Sequence, residues 1–321
     1  MTEPLPPKKR DASSIPTLSL VIPVHNEDQI IQDTLQRCGP LLNDISEDHE
    51  FIVIDDGSTD STWEVLTSLA EGDQRLKLIR FTRNFGKEAA IFAGLNQSRG
   101  KCTVVMDGDL QHPPELIPEM YRLWKEAGYD VVHGIKTVRQ DEPRPSRFFG
   151  HLFYALMGSL SGYDLKGATD YKLLDRNVVH HYVDLPEHVR FFRGLVPWLG
   201  FRNTSVPFSP SKRQKGRSRW SYPALARLGI RAICSFSSLP MQVVTLMGGI
   251  MFAAAILLGA QTLFMKMSGQ AVEGFTTVIL LLLFIGSILM VSLGVIGQYI
   301  ALIYEEVKRR PSYIVDETKN M

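Results

Sequence analysis

The chain has 321 residues, is 45% hydrophobic and carries a formal net charge of +1 at neutral pH. That length allows more than one folded unit, and the near-neutral balance excludes the global basic field of a nucleic-acid binder. The three cysteines, Cys38, Cys102 and Cys234, lie far apart with no CxxC or Cys/His cluster, which argues against a disulfide framework or a zinc site.

Residues 1–16 are polar and proline-bearing, with Lys8-Lys9-Arg10 but no apolar core, so a disordered tail is expected rather than a secretory signal. Thr17 to Pro23 is a β-branched-rich strand, followed by His25-Asn26-Glu27 and a polar helix to about Leu42. Phe51 to Ile54 forms the next strand and ends in Asp55-Asp56-Gly57-Ser58. Thr59-Asp60-Ser61 opens a helix bearing Trp63, Val65, Leu66 and Leu69. Leu76 to Phe81 is a third strand, followed by Arg83-Asn84-Phe85-Gly86-Lys87 and an alanine-rich helix over Ala89 to Gln97. Cys102 to Met106 is the fourth, then Asp107-Gly108-Asp109-Leu110-Gln111-His112 and a helix from Pro114 to Ala127. Asp130 to His133 is the fifth.

Short apolar strands alternating with amphipathic helices predict an α/β fold with a doubly wound, mostly parallel sheet. Each unusual polar cluster follows a strand, so the sheet gathers them along its carboxyl edge, where such folds bind ligands. Neither GxGxxG nor GxxxxGK[ST] follows a strand, which argues against an ordinary dinucleotide fold and a P-loop NTPase. Asp107 and Asp109 repel one another unless a cation is shared between them. Their hard oxygens suit Mg²⁺ or Mn²⁺ held together with substrate phosphates. Taken alone, the pair fits a solvated strand-end turn better than a metal site.

Beyond Ile135 the pattern loosens. Residues 146–161 read as a helix with a broad aromatic face, fitting a core or a membrane interface alike. Gly167 to Leu174 reads as a turn into a strand, with Asp170 at its start. Positive charge follows at Arg190, Arg193 and Arg202. The cation-rich stretch Ser209 to Trp220 contains Arg213 and Arg219. Residues 220–240 are expected to lie along a membrane surface.

Two apolar runs, 241–265 and 275–304, each cover roughly 30 Å or more at helical rise, enough to cross a bilayer. The segment between them, 266–274, carries one Lys and one Glu, whereas the outer flanks carry Arg227, Arg231, Lys308, Arg309 and Arg310. The positive-inside rule then puts both termini, including a tail over 305–321, in the cytoplasm.

The motifs Val21-Ile22-Pro23-Val24-His25-Asn26-Glu27, Asp55 to Asp60, Arg83 to Lys87 and Asp107 to Glu115 resemble those of family 2 GT-A glycosyltransferases. The likeness is strongest to the polyprenyl-phosphate branch that includes dolichol-phosphate mannose synthase. The two-span C-terminal part resembles the bacterial prenyl-phosphate glucosyltransferases of O-antigen glucosylation. The resemblance runs from about Leu18 to Tyr313 and implies a cytoplasmic GT-A domain over 17–219, anchored by interfacial and transmembrane helices. It implies nucleotide-sugar contacts from Pro23, His25, Glu27, Asp56, Arg83, Lys87 and Asp107, with His25 standing where many relatives have Tyr. It implies metal ligation by Asp107, Asp109 and Gln111, and catalytic roles for Asp109 and Asp170. Acceptor-phosphate contacts fall to Arg190, Arg202, Arg213 and Arg219.

The reaction so implied is inverting transfer of a sugar, foremost glucose from UDP-glucose, onto undecaprenyl phosphate at the bacterial inner membrane. The acceptor is a phosphate monoester, largely anionic at neutral pH, which needs positioning more than deprotonation. Asp170 therefore reads first as an orienting group, with a base role open. Other donors fit the same motifs: an aminoarabinose derivative, an N-acetylhexosamine or GDP-mannose. A processive synthase needs Gln-x-x-Arg-Trp, and Gln214 lies too far from Arg219-Trp220. A non-catalytic membrane subunit paired with a flippase is the remaining reading, opposed by the intact Asp107/Asp109 pair. A homo-oligomer stays open, and no nucleic acid is expected.

Overall fold

The computed structural model describes residues 16–137, 168–187, 190–209, 239–268 and 274–321. The expected N-terminal tail, the helix near 146–161, the surface segment up to 238, and Arg213 and Arg219 lie outside the described residues. The chain divides into two units. One comprises Met1–Arg219 together with Arg309–Met321, the other Trp220–Lys308.

The first unit holds an eight-stranded sheet. Its early part is the expected alternation: β1 (Leu18–Val24), α1 (Ile31–Ile45), β2 (His49–Asp55), α2 (Thr62–Gly72), β3 (Leu76–Phe81), α3 (Lys87–Gln97) and β4 (Cys102–Val105). A 3₁₀ turn over Pro114–Leu116 leads into α4 (Ile117–Ala127), followed by β5 (Val131–Lys136). All residues of β1, β2 and β4 are buried, as expected of strands covered by helices on both faces. Gly94 on α3 is required by that covering, because a Cβ there would strike Val21 and Ile54 of the sheet.

Local chemistry shifts one boundary. The first helix begins at Ile31 rather than directly after His25. Asn26 takes a left-handed φ of 57°, its N–H donates to Ser58 Oγ at 2.9 Å, and the Glu27 N–H donates to Thr62 Oγ1 at 2.9 Å. These bonds hold residues 25–27 in a turn against the end of β2.

The strand order is β7-β5-β6-β4-β1-β2-β3-β8. The strand expected around Asp170 is β6 (Ala168–Asp175), wedged antiparallel between β4 and β5 with Val105 opposite Lys172. Because β6 runs backwards, its first residues reach the carboxyl edge of the parallel strands. After it come α5 (Arg176–Asp184), α6 (Phe192–Trp198) and β7 (Asn203–Phe208), which runs parallel to β5.

In the second unit, α7 (Leu239–Met267) and α8 (Phe275–Lys308) are both long and apolar enough to cross a membrane. The expected tail over 305–321 is not a free tail. The helix continues to Lys308, and Val315–Lys319 forms β8, which returns to the first unit and pairs antiparallel with β3. Asn320 Nδ2 fastens that end, lying 2.9, 3.3 and 3.0 Å from the carbonyls of Ala70, Asp73 and Leu76.

Candidate active site

Four chain turns meet at the carboxyl edge of β4, β1, β2 and β3. Asp56, buried after β2, accepts from the Phe85 N–H at 2.7 Å and from the Gly86 N–H at 2.9 Å. It thereby folds the Arg83–Lys87 turn down onto the end of β2. Burial raises its carboxyl above the usual range, against the lowering effect of these two N–H donors. Gly57 makes that closeness feasible. It has a φ of 63°, and any Cβ would collide with the backbone of Arg83 and Asn84.

The bracing of that turn places Lys87 at the centre. Its Nζ lies 2.5 Å from Asp107 Oδ1 and 2.6 Å from Asp170 Oδ2. One ammonium thus joins the end of β4 to the start of β6. Arg193, on α6, grips the same Asp170 with Nε at 2.7 Å and Nη2 at 2.8 Å, a two-pronged geometry that guanidinium forms and ammonium cannot. Burial alone would raise the Asp170 carboxyl, but Lys87 and Arg193 hold it well below the ordinary range. Burial would likewise lower Lys87, yet Asp107 and Asp170 keep it above its usual value. The cluster is therefore charged at neutral pH, and Asp170 is a weak proton acceptor.

The Asp107–Gln111 turn is held from within. The Asp107 N–H donates to His112 Nδ1 at 3.2 Å, and His112 stacks on Tyr171 with centroids 5.0 Å apart. Leu110 sits at a left-handed φ of 56°, an uncommon conformation for a branched side chain. Gln111 turns toward Asp109, its backbone N–H donating to Oδ1 at 3.1 Å and its Nε2 to Oδ2 at 2.8 Å. In this arrangement Gln111 braces the Asp109 carboxylate. No group of three or more His, Cys, Asp or Glu side chains arranged to hold a metal occurs among the described residues. Two hard carboxylates still suit a divalent ion that takes its remaining oxygens from a bound diphosphate and water.

Other expected residues divide clearly. Pro23 is buried in β1, opposite Ile54 of β2. His25 and Arg83 line a cavity of about 370 Å³ at the ends of β2 and β3, and the Arg83 guanidinium lies 4.1 Å above the Phe85 ring. Glu27 stays in the turn before α1. Arg190 is engaged elsewhere: it donates to the carbonyls of Tyr182 and Leu185 at 2.7 Å and stacks 3.7 Å over Phe92. It closes the carboxyl end of α5, where a cation complements the exposed carbonyls. Arg202 precedes β7, which starts level with the start of β5, so it lies at the opposite end of the sheet from Asp107. Its guanidinium covers Tyr129 at 4.7 Å.

Arg193, which the sequence marks only as one of several positive charges, is the guanidinium that meets Asp170. The run Arg190-Phe191-Phe192-Arg193 announced a cation, but only the direction of α6 decides which guanidinium meets Asp170. Lys172 and Glu88 are the residues that sequence reasoning missed. Lys172 is buried with Nζ 2.9 Å from His133 Nδ1. Glu88 accepts from the Phe192 N–H at 2.9 Å, and burial pushes its carboxyl up to about 7.

Residues 19–181 match the family described as glycosyl transferase family 2. An uncharacterized glycosyltransferase of Synechocystis sp. is 36% identical over 307 residues, covering 94% of this chain and 95% of the relative. A prophage bactoprenol glucosyl transferase homolog of Escherichia coli is 34% identical, covering 94% and 99%. The bactoprenol glucosyl transferase of Shigella phage SfV is 33% identical, with the same coverage. Among solved structures, glucosyl-3-phosphoglycerate synthase from Mycobacterium tuberculosis, in complex with Mn²⁺, UDP-glucose and phosphoglyceric acid, superposes with a TM-score of 0.52. It is 21% identical and covers 71% of this chain and 85% of that one, a likeness of fold.

Proposed function

The chain belongs to glycosyl transferase family 2, and from that premise we propose that it moves glucose from UDP-glucose to a polyprenyl phosphate at a membrane surface. The observation that carries the proposal is the Lys87 bridge between Asp107 and Asp170. It links the strand end suited to a nucleoside diphosphate with the buried carboxylate that Arg193 holds. The names of the bactoprenol glucosyl transferase relatives support the sugar and the carrier. The two long helices, with exposed side chains such as Phe252, Leu257 and Met290, support anchoring in lipid.

In this reading Asp107 and Asp109 would hold a Mg²⁺ or Mn²⁺ ion, which when bound offsets charge on the leaving diphosphate. Gln111 keeps Asp109 turned for that contact. Lys87 and Arg193 add positive charge between donor and acceptor, reducing the repulsion between two anions that must approach one another. Asp170 fixes both cations and orients the acceptor without taking its proton, in keeping with its depressed carboxyl and an acceptor already anionic. In-line attack inverts the anomeric centre. Arg213 and Arg219 are assigned to the acceptor phosphate on the family resemblance alone.

The test is transfer of labelled sugar from a panel of UDP- and GDP-sugars into undecaprenyl phosphate, using membranes that contain the full chain. UDP-glucose is expected to label the lipid phase, and Asp109→Asn to abolish labelling without changing the amount of protein in the membrane. Undiminished metal-dependent transfer by Asp109→Asn would overturn the assignment.

A further inference from the structure

β8 does more than cover a sheet edge. It begins beside the end of β3: the Thr82 N–H donates to the Ile314 carbonyl at 3.1 Å, and Tyr313 stacks on Phe81 with centroids 4.9 Å apart. The register shifts between Arg80 and Phe81, with Glu317 opposite Arg80 and Val315 opposite Phe81. Glu317 faces α2, where Trp63 Nε1 donates to its Oε2 at 3.1 Å. Asp316 is the extra, unpaired residue at that shift, where a strand bends and re-aims a side chain. There it lines the same 370 Å³ cavity as His25, Ser58, Arg83 and Asn84.

The strand order fixes which part of a ligand this cavity can meet. From the end of β4 to the end of β3 is three strand steps, about 14 Å at about 4.8 Å per step. β8 lies one step further. An extended nucleoside diphosphate lying along the edge, with its phosphates at Asp107 and Asp109, brings its nucleoside end to this cavity. A carboxylate beside a diphosphate repels it, whereas one beside a nucleoside accepts hydrogen bonds from base N–H groups or ribose hydroxyls.

We propose that β8 is part of the donor site and that Asp316 accepts a hydrogen bond from the nucleoside end of the nucleotide sugar. Asp316 is a binding residue contributed by chain that follows the second long helix. The proposal rests on the donor reading above and adds a determinant of nucleoside affinity outside the segment matched by the family.

The experiment measures binding of UDP, GDP and inorganic pyrophosphate to the purified full chain and to Asp316→Asn and Asp316→Ala, by calorimetry, together with transfer kinetics. We expect UDP to bind the wild type, to lose about tenfold in affinity in Asp316→Ala, and to lose less in Asp316→Asn, whose amide oxygen still accepts a hydrogen bond. Pyrophosphate binding and the thermal midpoint should stay unchanged, and the donor KM should rise while kcat and the acceptor KM hold. A merely structural role would instead lower the midpoint and kcat. That result overturns the proposal, as does UDP affinity in Asp316→Ala within twofold of wild type. A wild-type chain that binds neither UDP nor GDP overturns the donor reading itself, and this proposal with it.

Discussion

Arg190 and Arg193 stand three residues apart and do different work. Arg193 completes the charge balance of a buried carboxylate. Arg193→Ala leaves Asp170 with Lys87 alone and is expected to cost about 2 kcal/mol of stability, the scale of one charge-assisted bond, and to lower kcat by at least tenfold. Arg190→Ala removes bonds to the α5 carbonyls and is expected to lower the thermal midpoint while leaving the acceptor KM within twofold. Parallel thermal denaturation and transfer kinetics separate the two, and a raised acceptor KM in Arg190→Ala would restore its phosphate role. The sequence pointed to this run of residues because cations near a phosphate site are informative. It could not choose between the two arginines, since that choice depends on where α6 begins and which way it points.

β6 is the element that makes the site. Reversed between β4 and β5, it delivers Asp170 to the carboxyl edge and, two residues on, buries Lys172 against His133. Burial brings the Lys172 ammonium down to about 7 from its usual 10.5. Between those values the unfolded chain binds a proton that the folded chain has released. This group's contribution to stability therefore rises with pH from about 7 to 10.5. Lys172→Met is expected to flatten that rise, read as the difference in denaturation midpoint between pH 7.5 and 9.5; equal differences in variant and wild type would rule the effect out. The strand itself was legible around Asp170. Its reversed direction was not, because local periodicity reports a strand's faces and says nothing of its neighbours.

At the scale of the molecule, the four polar strand ends were readable because each follows an apolar run, and a parallel sheet can only collect them on one edge. The two long helices were readable from length and apolarity. β8 was not: Val-Asp-Glu-Thr-Lys is mostly polar and mostly exposed, the composition of a solvated tail, and only its pairing with β3 makes it a strand. The proposed topology carries its own prediction. In intact cells, Ala271→Cys is expected to react with a membrane-impermeant maleimide from outside, and Asp316→Cys only after the membrane is permeabilised. Labelling of both from outside would reverse the assigned orientation.

The placement of β8 also orders the protein's synthesis. The β3 edge stays open while the ribosome makes everything from Thr82 to Ile314, because its partner strand is encoded beyond both apolar helices. A nascent chain stalled before that point has an unpaired edge beside its proposed nucleotide crevice, the kind of surface that recruits foreign strands or chaperones. The finished edge is thus a record that both helices have already been translated, and a chain that stops before Val315 leaves its β3 edge unpaired.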